Sequence, residues 1–292
     1  MSESTIQLSV VIPVYNGQAY LKDCLSSLLE DLAGVRHEVI VVDDGSTDES
    51  IALVQEHCSS CRLIELDRNY GFTRAVNVGL EAATGEYILL LNQDTRVHRG
   101  AVPALIHRLS GDESIGVIGP KFVSFDDETL RSARAFPTYR HVWYDALLLS
   151  KLCARRREFG GWRMSWFDHE SETVVDQPMG AAMLFRRRLL DAVGSFDESY
   201  PLFFSDVDFC HRLVGGGYRN VYYPPAVVAH AVGGATSQRP IRSRVQSHAS
   251  LYRFLRRTSR WWSRPVLWLT GVVLWLGLVP SLFVMRGRRN RP

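Results

Sequence analysis

Apolar positions in the first hundred residues alternate between short continuous runs and helical spacing. Gln7 to Val14 is a run rich in β-branched residues that ends at a turn, which predicts a buried strand. The apolar residues at 21, 24, 25, 28 and 29 then lie on one face of a helix. Further elements are predicted as strands at Glu38 to Val42, Arg62 to Leu66 and Tyr87 to Leu91, and as a helix at Phe72 to Ala83. This alternation predicts an α/β fold with a mostly parallel central sheet flanked by helices.

Polar clusters follow three of the predicted strands. Asp and Asn at strand ends are common turn formers, so each cluster alone is weak evidence for a site. Their joint position is more informative, because ligands bind at the carboxyl ends of parallel strands. The chain has no GxGxxG and no GxxxxGK[ST], which argues against a dinucleotide dehydrogenase and a P-loop NTPase. The clusters are Tyr15-Asn16, Asp43-Asp44 and Asn92-Gln93-Asp94.

Charge is divided unevenly along the 292 residues. Hydrophobic residues make up 46% and charged residues 22%, which excludes a disordered or fibrous chain. The segment from Cys210 to Pro292 holds 14 Arg and no Lys, Asp or Glu, although the whole chain has a net charge of only +3. A basic tail on an acidic body points to a membrane surface or a nucleic acid.

Five scattered cysteines do not form a disulfide framework in a chain of this length. Cys58 and Cys61 make a lone CxxC without a second pair or a nearby His, so we expect reduced thiols in a cytosolic compartment rather than a metal or redox site. The N-terminus has no basic segment followed by an apolar run, and no signal peptide is expected.

Seven motifs in fixed order cover most of residues 6 to 235. They are VVIPVYN (Val10 to Asn16), VIVVDDGSTDES (Val39 to Ser50), RNYGFTRAVNVG (Arg68 to Gly79), GEYILLLNQDT (Gly85 to Thr95), MGAAMLFRR (Met179 to Arg187), GSFDESYPLFFSDVDFCHRL (Gly194 to Leu213) and GYRNVYYPPAVVAH (Gly217 to His230). Together they resemble the family 2 glycosyltransferases of the GT-A fold, and within them the rhamnosyltransferase-like bacterial branch. The resemblance implies an enzyme that moves a sugar from a nucleotide-sugar donor to a hydroxyl group of an acceptor.

The resemblance also implies a role for individual residues. Asp94 corresponds to the family's metal-binding aspartate, and His230 to its second metal or diphosphate contact. The metal would be Mg²⁺ or Mn²⁺, hard cations that suit a diphosphate leaving group. Donor-binding positions implied by the resemblance are Pro13, Tyr15, Asn16, Asp43, Asp44, Asn69, Gly71, Arg74, Asn77, Asn92 and Gln93. Asp206 corresponds to the catalytic base, and one base with direct attack implies inversion at the anomeric carbon. The acceptor side would include Gly180, Ala181 and Asp208.

Two positions depart from the family pattern. Ser205 stands where a Glu usually precedes the catalytic Asp, and Asn92-Gln93 replace the more usual Asn-Pro or Asp-x before Asp94. The departures give some weight to a catalytically silent, membrane-bound protein that binds nucleotide sugars. The stretch from Ser132 to Asp176, with Trp143, Trp162 and Trp166, fits an acceptor site and an insertion packed on the sheet equally well.

The C-terminal segment combines arginines with a long apolar run. Pro265 to Met285 has 21 residues without a charged side chain, and as a helix it would extend ~31 Å, close to the ~30 Å core of a bilayer. Arginines flank the run on both sides, and tryptophans, which favour membrane interfaces, lie in and before it. We therefore expect this segment to associate with a membrane, either spanning it or lying in its plane. Nucleic-acid binding is not expected, because it would explain the arginines but not the adjoining apolar run.

These expectations combine into one hypothesis. Residues 1–238 would form the GT-A catalytic domain, with a nucleotide-sugar half at 1–98 and an acceptor and catalytic half at 99–238, and residues 239–292 a membrane-associated helical extension. The protein would be an inverting, metal-dependent enzyme at the cytoplasmic face of the inner membrane that transfers rhamnose from dTDP-rhamnose to a lipid-linked saccharide in cell-envelope polysaccharide synthesis. A UDP- or GDP-sugar donor is the alternative within the same fold, and a homo-oligomer is compatible with the sequence.

Overall fold

The computed structural model describes residues 7–231 and 240–289. Its strands are β1 Leu8–Val14, β2 His37–Asp43, β3 Arg62–Glu65, β4 Tyr87–Leu91, β5 Thr95–Val97, β6 Ile115–Val123, β7 Ala133–Arg134, β8 Thr173–Val175, β9 Gln177–Pro178, β10 Ala182–Arg186 and β11 Arg219–His230. Its helices are α1 Leu21–Asp31, α2 Ser50–His57, α3 Phe72–Ala82, α4 Ala101–Ser110, α5 Tyr139–Ala146, α6 Leu149–Leu152, α7 Arg157–Gly160, α8 Leu189–Val193, α9 Ser205–Gly215, α10 Pro240–Thr258 and α11 Arg264–Arg289. Single 3₁₀ turns lie at Gly161–Arg163 and Trp261–Ser263.

The central sheet follows the order β3-β2-β1-β4-β10-β6-β11-β5, with β8 paired to β11. Its first four strands are all parallel, as the alternation of strands and helices predicts. The second half departs from purely parallel pairing. There β10 is antiparallel to both β4 and β6, while β6 and β11 are parallel to each other. The sheet is therefore mixed, because β10 enters between β4 and β6 from the opposite direction.

Each face of the sheet is covered by helices. On one face, Val10 and Ile12 of β1 join the buried side chains of α1 and α4, while Val11 joins those of α3 and α9 on the other face. This alternation follows from the two-residue period of a strand. Because both faces are buried, β1 is apolar almost throughout, as expected for the centre of a parallel sheet. The covered faces leave the carboxyl edge of the sheet open for a site.

Helices α10 and α11 pack on the body of the protein and on each other. Phe254 of α10 is 1% exposed and packs against Phe204, next to α9, while the neighbouring Leu255 contacts Val142 of α5 and Leu267 of α11. Trp143 of α5 donates a hydrogen bond from Nε1 to Thr270 Oγ1 of α11 at 3.1 Å. The basic tail thus begins as an integral layer of the fold.

No helix in the described part of the chain is both long and apolar enough to cross a bilayer. The side chains at 278–285, the last eight positions of the apolar run, lie outside the described residues. So does the predicted boundary between residues 238 and 239.

The CxxC pair differs from its predicted state. Cys58 and Cys61 are joined by a disulfide, with their Cα atoms 5.3 Å apart. A turn closed by the Cys61 N–H and the Cys58 carbonyl, at 3.0 Å, brings the two side chains together. The expectation that both thiols are reduced is therefore wrong, whereas Cys24, Cys153 and Cys210 carry free thiols.

Candidate active site

A cavity of about 470 Å³ lies at the carboxyl edge of β1, β2 and β4. Parallel pairing of β1 with both neighbours brings the polar clusters that follow these strands to one edge. The predicted residues that line it are Pro13, Tyr15, Asp44, Asn69, Gly71, Asn92, Gln93, Asp94, Gly180, Ala181, Asp206 and His230. Residues from parts of the chain as far apart as positions 13 and 230 thus line one cavity.

Gln93, the unusual centre of the Asn-Gln-Asp triplet, fixes the loop after β1. Its Oε1 accepts a hydrogen bond from the Tyr15 N–H at 2.8 Å, and its Nε2 donates to the Tyr15 carbonyl at 3.1 Å. Gly17 lies directly against the amide, since a Cβ at this position would come within 2.5 Å of Gln93 Oε1. The side chain therefore acts like an extra backbone link between the ends of β1 and β4.

Asp44 organises the loop that opens α3. Its carboxylate accepts hydrogen bonds from Asn69 Nδ2 at 2.9 Å, the Tyr70 N–H at 2.7 Å and the Gly71 N–H at 2.8 Å. The residue is 2% exposed. Burial raises the pKa of Asp44, while the two backbone donors act in the opposite direction. Gly71 has a φ of 107° and its missing Cβ makes room for the Pro201 carbonyl, so this loop requires glycine there.

Asp94 and His230 form the pair at the far end of the cavity. Antiparallel pairing of β11 with β5 sets His230 opposite Thr95, and the Ala231 N–H donates to the Asp94 carbonyl at 3.0 Å. Asp94 Oδ1 then lies 3.3 Å from His230 Nε2. Asp94 is buried and the His230 side chain is 11% exposed, and the remaining ring nitrogen of His230, Nδ1, has no hydrogen-bond partner among the described residues.

Within the described residues, no group of three or more His, Cys, Asp or Glu side chains forms a metal site. The Asp94–His230 pair supplies one carboxylate and one imidazole, which match the ligand types of Mn²⁺ and, for the carboxylate, of Mg²⁺. Mg²⁺ in phosphate-binding sites is commonly held by one or two carboxylates together with substrate phosphates. The pair therefore fits a cation that is completed by a phosphate ligand.

Asp206 lies at the start of α9 and lines the cavity directly beside Gly180. Its Oδ2 accepts a hydrogen bond from Gln177 Nε2 at 2.7 Å, and the Gly180 N–H also donates to the carboxylate. Burial raises the pKa of Asp206, and these donors work against the shift. The preceding Ser205, at the position of the family's usual Glu, is 1% exposed and its Oγ has no partner in the described part of the chain.

Five predicted site residues are not among those lining the cavity. Asn16 accepts from the Thr47 N–H at 2.8 Å, and Arg74 is paired with Glu198 at 3.1 Å. Asn77 donates to the Phe196 carbonyl at 2.9 Å. The partners of the remaining two are the Ser46 N–H at 2.8 Å for Asp43 and Arg212 Nε at 2.8 Å for Asp208. These bonds hold loops and helices behind the cavity wall.

The insertion between β6 and β10 keeps its tryptophans away from the cavity. Trp162 lies beneath the guanidinium groups of Arg134 and Arg163, and Trp166 beneath that of Arg157. Together with the bond from Trp143 to α11, these contacts favour packing over an acceptor role for the three rings.

The sequence analysis missed one wall of the cavity, which α10 provides. Arg242, Ser243 and Gln246 lie within one turn of this helix and line the cavity. Arg242 is the one Lys or Arg among the described lining residues, and it faces a cavity with three carboxylates. The available signal was a cluster of polar positions at 242, 243 and 246 at the start of the basic C-terminal segment.

Comparisons with known proteins agree with this geometry. A model of the family "Glycosyl transferase family 2" matches residues 9–172. The N-acetylglucosaminyl-diphospho-decaprenol L-rhamnosyltransferase of Mycobacterium tuberculosis is 30% identical over 274 residues, covering 89% of this chain and 88% of that protein. The pre-mycofactocin glycosyltransferase of the same organism is 32% identical over 225 residues, covering 76% of this chain and 42% of that protein.

Two solved structures share the fold. The mannosyltransferase PcManGT from Pyrobaculum calidifontis, in complex with GDP-Man and Mn²⁺, superposes with a TM-score of 0.61 at 19% identity and covers 91% of this chain and 69% of that one. S. aureus TarS 1-349 superposes with a TM-score of 0.54 at 18% identity, covering 94% and 81%. The fold is therefore GT-A-like.

Gly180→Ala tests how closely Asp206 is fitted to its surroundings. The new Cβ would lie 2.5 Å from Asp206 Oδ2, so the carboxylate must move and its bond to Gln177 weakens. We expect the free energy of unfolding, measured with urea, to fall by about 1–3 kcal/mol, and a crystal structure to show a displaced Asp206.

Gly215→Ala is the matched control, because it lies in the same helix as Asp206 and a Cβ there meets nothing within 4 Å. An undisturbed Asp206 in the Gly180 variant, with stability equal to that of the control, would contradict the described packing.

Proposed function

Because the chain belongs to glycosyl transferase family 2 and is therefore a glycosyltransferase, we propose that it transfers a sugar from a nucleotide-sugar donor to a hydroxyl group of a lipid-linked saccharide in cell-envelope polysaccharide synthesis. The observation that carries the proposal is one cavity shared by Asp44, the Asp94–His230 pair and Asp206. The similarity to the mycobacterial L-rhamnosyltransferase supports a lipid-linked acceptor and rhamnose as the sugar, and we propose dTDP-rhamnose as the donor.

The nucleotide end of the donor would lie against the edge formed by β1 and β2. Tyr15 and Asn69 line this part of the cavity, and Asp44 holds the loop of Asn69 in place. Asp43 has one buried carboxylate oxygen, Oδ1, without a hydrogen-bond partner among the described residues. Because Asp43 is not among the described residues that line the cavity, its proposed part is to hold the loop at Ser46 behind the nucleotide.

The donor diphosphate would lie between Asp94, His230 and the start of α10. Mg²⁺ or Mn²⁺ held by Asp94 and His230 would neutralise charge on the leaving diphosphate. Arg242 is placed to contact the same phosphates, because a guanidinium group pairs with two oxygens at once. Arg74, predicted for this role, is already paired with Glu198.

Asp206 would act as the general base. It accepts the proton of the acceptor hydroxyl while the acceptor oxygen bonds to the anomeric carbon and the bond from that carbon to the diphosphate oxygen breaks. The sugar is transferred in one displacement, so its anomeric configuration inverts. A positioned general base contributes about 10²- to 10⁴-fold in rate.

The outer face of α11 would contact the membrane that carries the acceptor. Leu267, Thr270 and Leu274 form the buried stripe of this helix. The opposite side is exposed and apolar, with Val266, Trp268, Leu269, Val272, Trp275 and Leu276 between 38% and 66% exposed. Since one stripe is packed against the protein, this part of α11 is suited to lie in the plane of the bilayer surface.

Charge on the adjoining segments supports the same surface. Arg256 in the last turn of α10, Arg260 just after that helix and Arg264 at the start of α11 are exposed. An Arg near an anionic leaflet contributes roughly 1 kcal/mol. We propose the cytoplasmic face of the inner membrane as the location of the catalytic domain.

Asp206→Asn tests the proposed reaction. The amide keeps the shape of the side chain but cannot accept the proton, so we expect turnover to fall by at least about 10²-fold while donor affinity changes less than about twofold. Turnover is measured with dTDP-rhamnose, UDP-sugars and GDP-sugars on a lipid-linked saccharide with Mn²⁺, and donor binding by thermal shift.

Asp191→Asn, an exposed Asp of α8, is the control. Normal turnover of Asp206→Asn would remove this residue from the role of base. Donor binding by the unmodified protein without turnover on any acceptor would favour a silent binding protein instead.

Asp94→Ala tests the cation site. Loss of one of two protein ligands should abolish the gain in donor affinity that Mn²⁺ provides, as measured by calorimetric titration of the donor with and without Mn²⁺. Glu30→Ala, an exposed carboxylate of α1, should keep the full gain. An Mn²⁺ dependence that is the same in both variants would contradict the assignment of Asp94.

A double variant, Trp268→Asp with Trp275→Asp, tests the membrane surface. We expect binding to vesicles that contain phosphatidylglycerol to fall at least about tenfold in a flotation assay, because two charges replace exposed apolar rings. Val174→Asp is the control, since Val174 of β8 is 55% exposed outside this helix. Unchanged vesicle binding, or a dimer of the unmodified protein that dissociates in the double variant, would assign the face to another partner.

A further inference from the structure

An amide side chain is bonded directly to the carboxylate of Asp206. Gln177 is 7% exposed, and its Nε2 lies 2.7 Å from Asp206 Oδ2. None of the motifs that carry the family resemblance includes Gln177, which directly follows the unassigned stretch from Ser132 to Asp176. The residue after that stretch thus contacts the proposed base.

Gln177 is held on a rigid frame. In β9 it pairs with Arg134 of β7. The preceding Asp176 accepts from the Phe136 N–H at 2.6 Å, and its carbonyl accepts from Asn220 Nδ2 of β11 at 2.7 Å. Asn220 is fully buried. These bonds tie β9 to both neighbouring strands, so the amide has a fixed approach to Asp206.

The amide acts on the ionisation of Asp206. Burial raises the pKa of this carboxyl group, which works against a base that must be ionised to accept a proton. Hydrogen bonds to the ionised form favour it, and the Gln177 amide is the one side-chain donor among the causes of the shift, beside backbone N–H groups. A neutral amide also fixes Oδ2 without becoming a competing base or acid.

We propose that Gln177 is a positioning residue that keeps Asp206 ionised and holds its carboxylate in the orientation needed for proton transfer. The inference rests on the proposed role of Asp206 as the general base. It assigns a function to the two-stranded β7–β9 sheet, which brings the amide to the Asp206 carboxylate.

The hydrogen bond donated by Gln177 to Asp206 predicts how the pH dependence of kcat changes when the amide is removed. Removing a donor to the ionised form raises the pKa of Asp206 further, so a higher pH is needed to obtain the active carboxylate. The acid limb of the kcat profile therefore moves to higher pH. Donor affinity does not change, because Gln177 is not among the described residues that line the cavity.

Two variants test the inference. Gln177→Leu keeps the approximate size of the side chain and removes the hydrogen-bond donor. We expect the midpoint of the acid limb of kcat to move to higher pH by about one unit, while the KM for the nucleotide sugar stays within about twofold. Gln177→Glu replaces the hydrogen-bonding amide by a second negative charge beside Asp206, which should move the acid limb of kcat further to higher pH. The measurement is the pH dependence of kcat and KM from pH 5 to 9, with circular dichroism to verify folding.

Gln55→Leu, an exposed glutamine of α2, is the matched control and should keep the profile of the unmodified enzyme. Unshifted acid limbs in the Leu and Glu variants, or a shift only in donor KM, would overturn the inference even if Asp206→Asn is inactive. An active Asp206→Asn would instead overturn the proposed base, so the two failures are distinguishable. Should the Leu variant not fold, the Glu variant, which has the same shape as Gln, decides the matter.

Discussion

The structure depends on holding three carboxylates of one charge around a single partly buried cavity. Asp44, Asp94 and Asp206 line it together, and like charges in such a place repel each other unless hydrogen bonds or cations offset them. Asp44 is held by three donors from the loop that opens α3, and Asp206 by backbone N–H groups and the Gln177 amide. Asp94 has the His230 ring at 3.3 Å. Each carboxylate thus has its own supporting group, and the space between them is left for a ligand that brings or attracts positive charge.

Helix α10 connects three parts of the molecule that the sequence treats as separate. Its first described turns supply Arg242, Ser243 and Gln246 to the cavity. Its later residues Phe254 and Leu255 pack beside α9, which carries Asp206, and against α11. The proposed membrane surface is therefore joined to the catalytic cavity by continuous packing. A lipid-linked acceptor held at that surface would meet the cavity where α10 lines it.

The sequence predicts the first half of the fold well, because hydrophobic periodicity is strongest where strands are buried on both faces. The four strands β1 to β4 and the helices α1 and α3 lie close to their predicted positions. The direction of β10 was not predictable, since a short apolar strand has the same pattern in a parallel and an antiparallel sheet. The disulfide between Cys58 and Cys61 depends on a local turn that residue spacing does not reveal.

The sequence likewise predicts some residues of the candidate site and misses others. Strand-end residues such as Tyr15, Asp44 and Asp94 could be placed on the cavity because parallel strands end at one edge. Arg74 and Asn77 lie on a helix, and which side of that helix meets the cavity is decided by Glu198 and Phe196, more than 100 residues away. Gln177 escaped prediction for a similar reason, since its only signal is a contact across 29 residues between an irregular insertion and α9.

The central claim is that one cation-bound diphosphate lies between Asp94 and His230, with Asp206 facing the anomeric carbon. The most direct measurement is a crystal structure of the Asp206→Asn variant soaked with dTDP-rhamnose and Mn²⁺, with anomalous data collected at the manganese edge. The account predicts an anomalous peak at ligand distance from Asp94 and His230, and the sugar between that peak and residue 206. A peak at another place, or a donor bound outside this cavity, would contradict it.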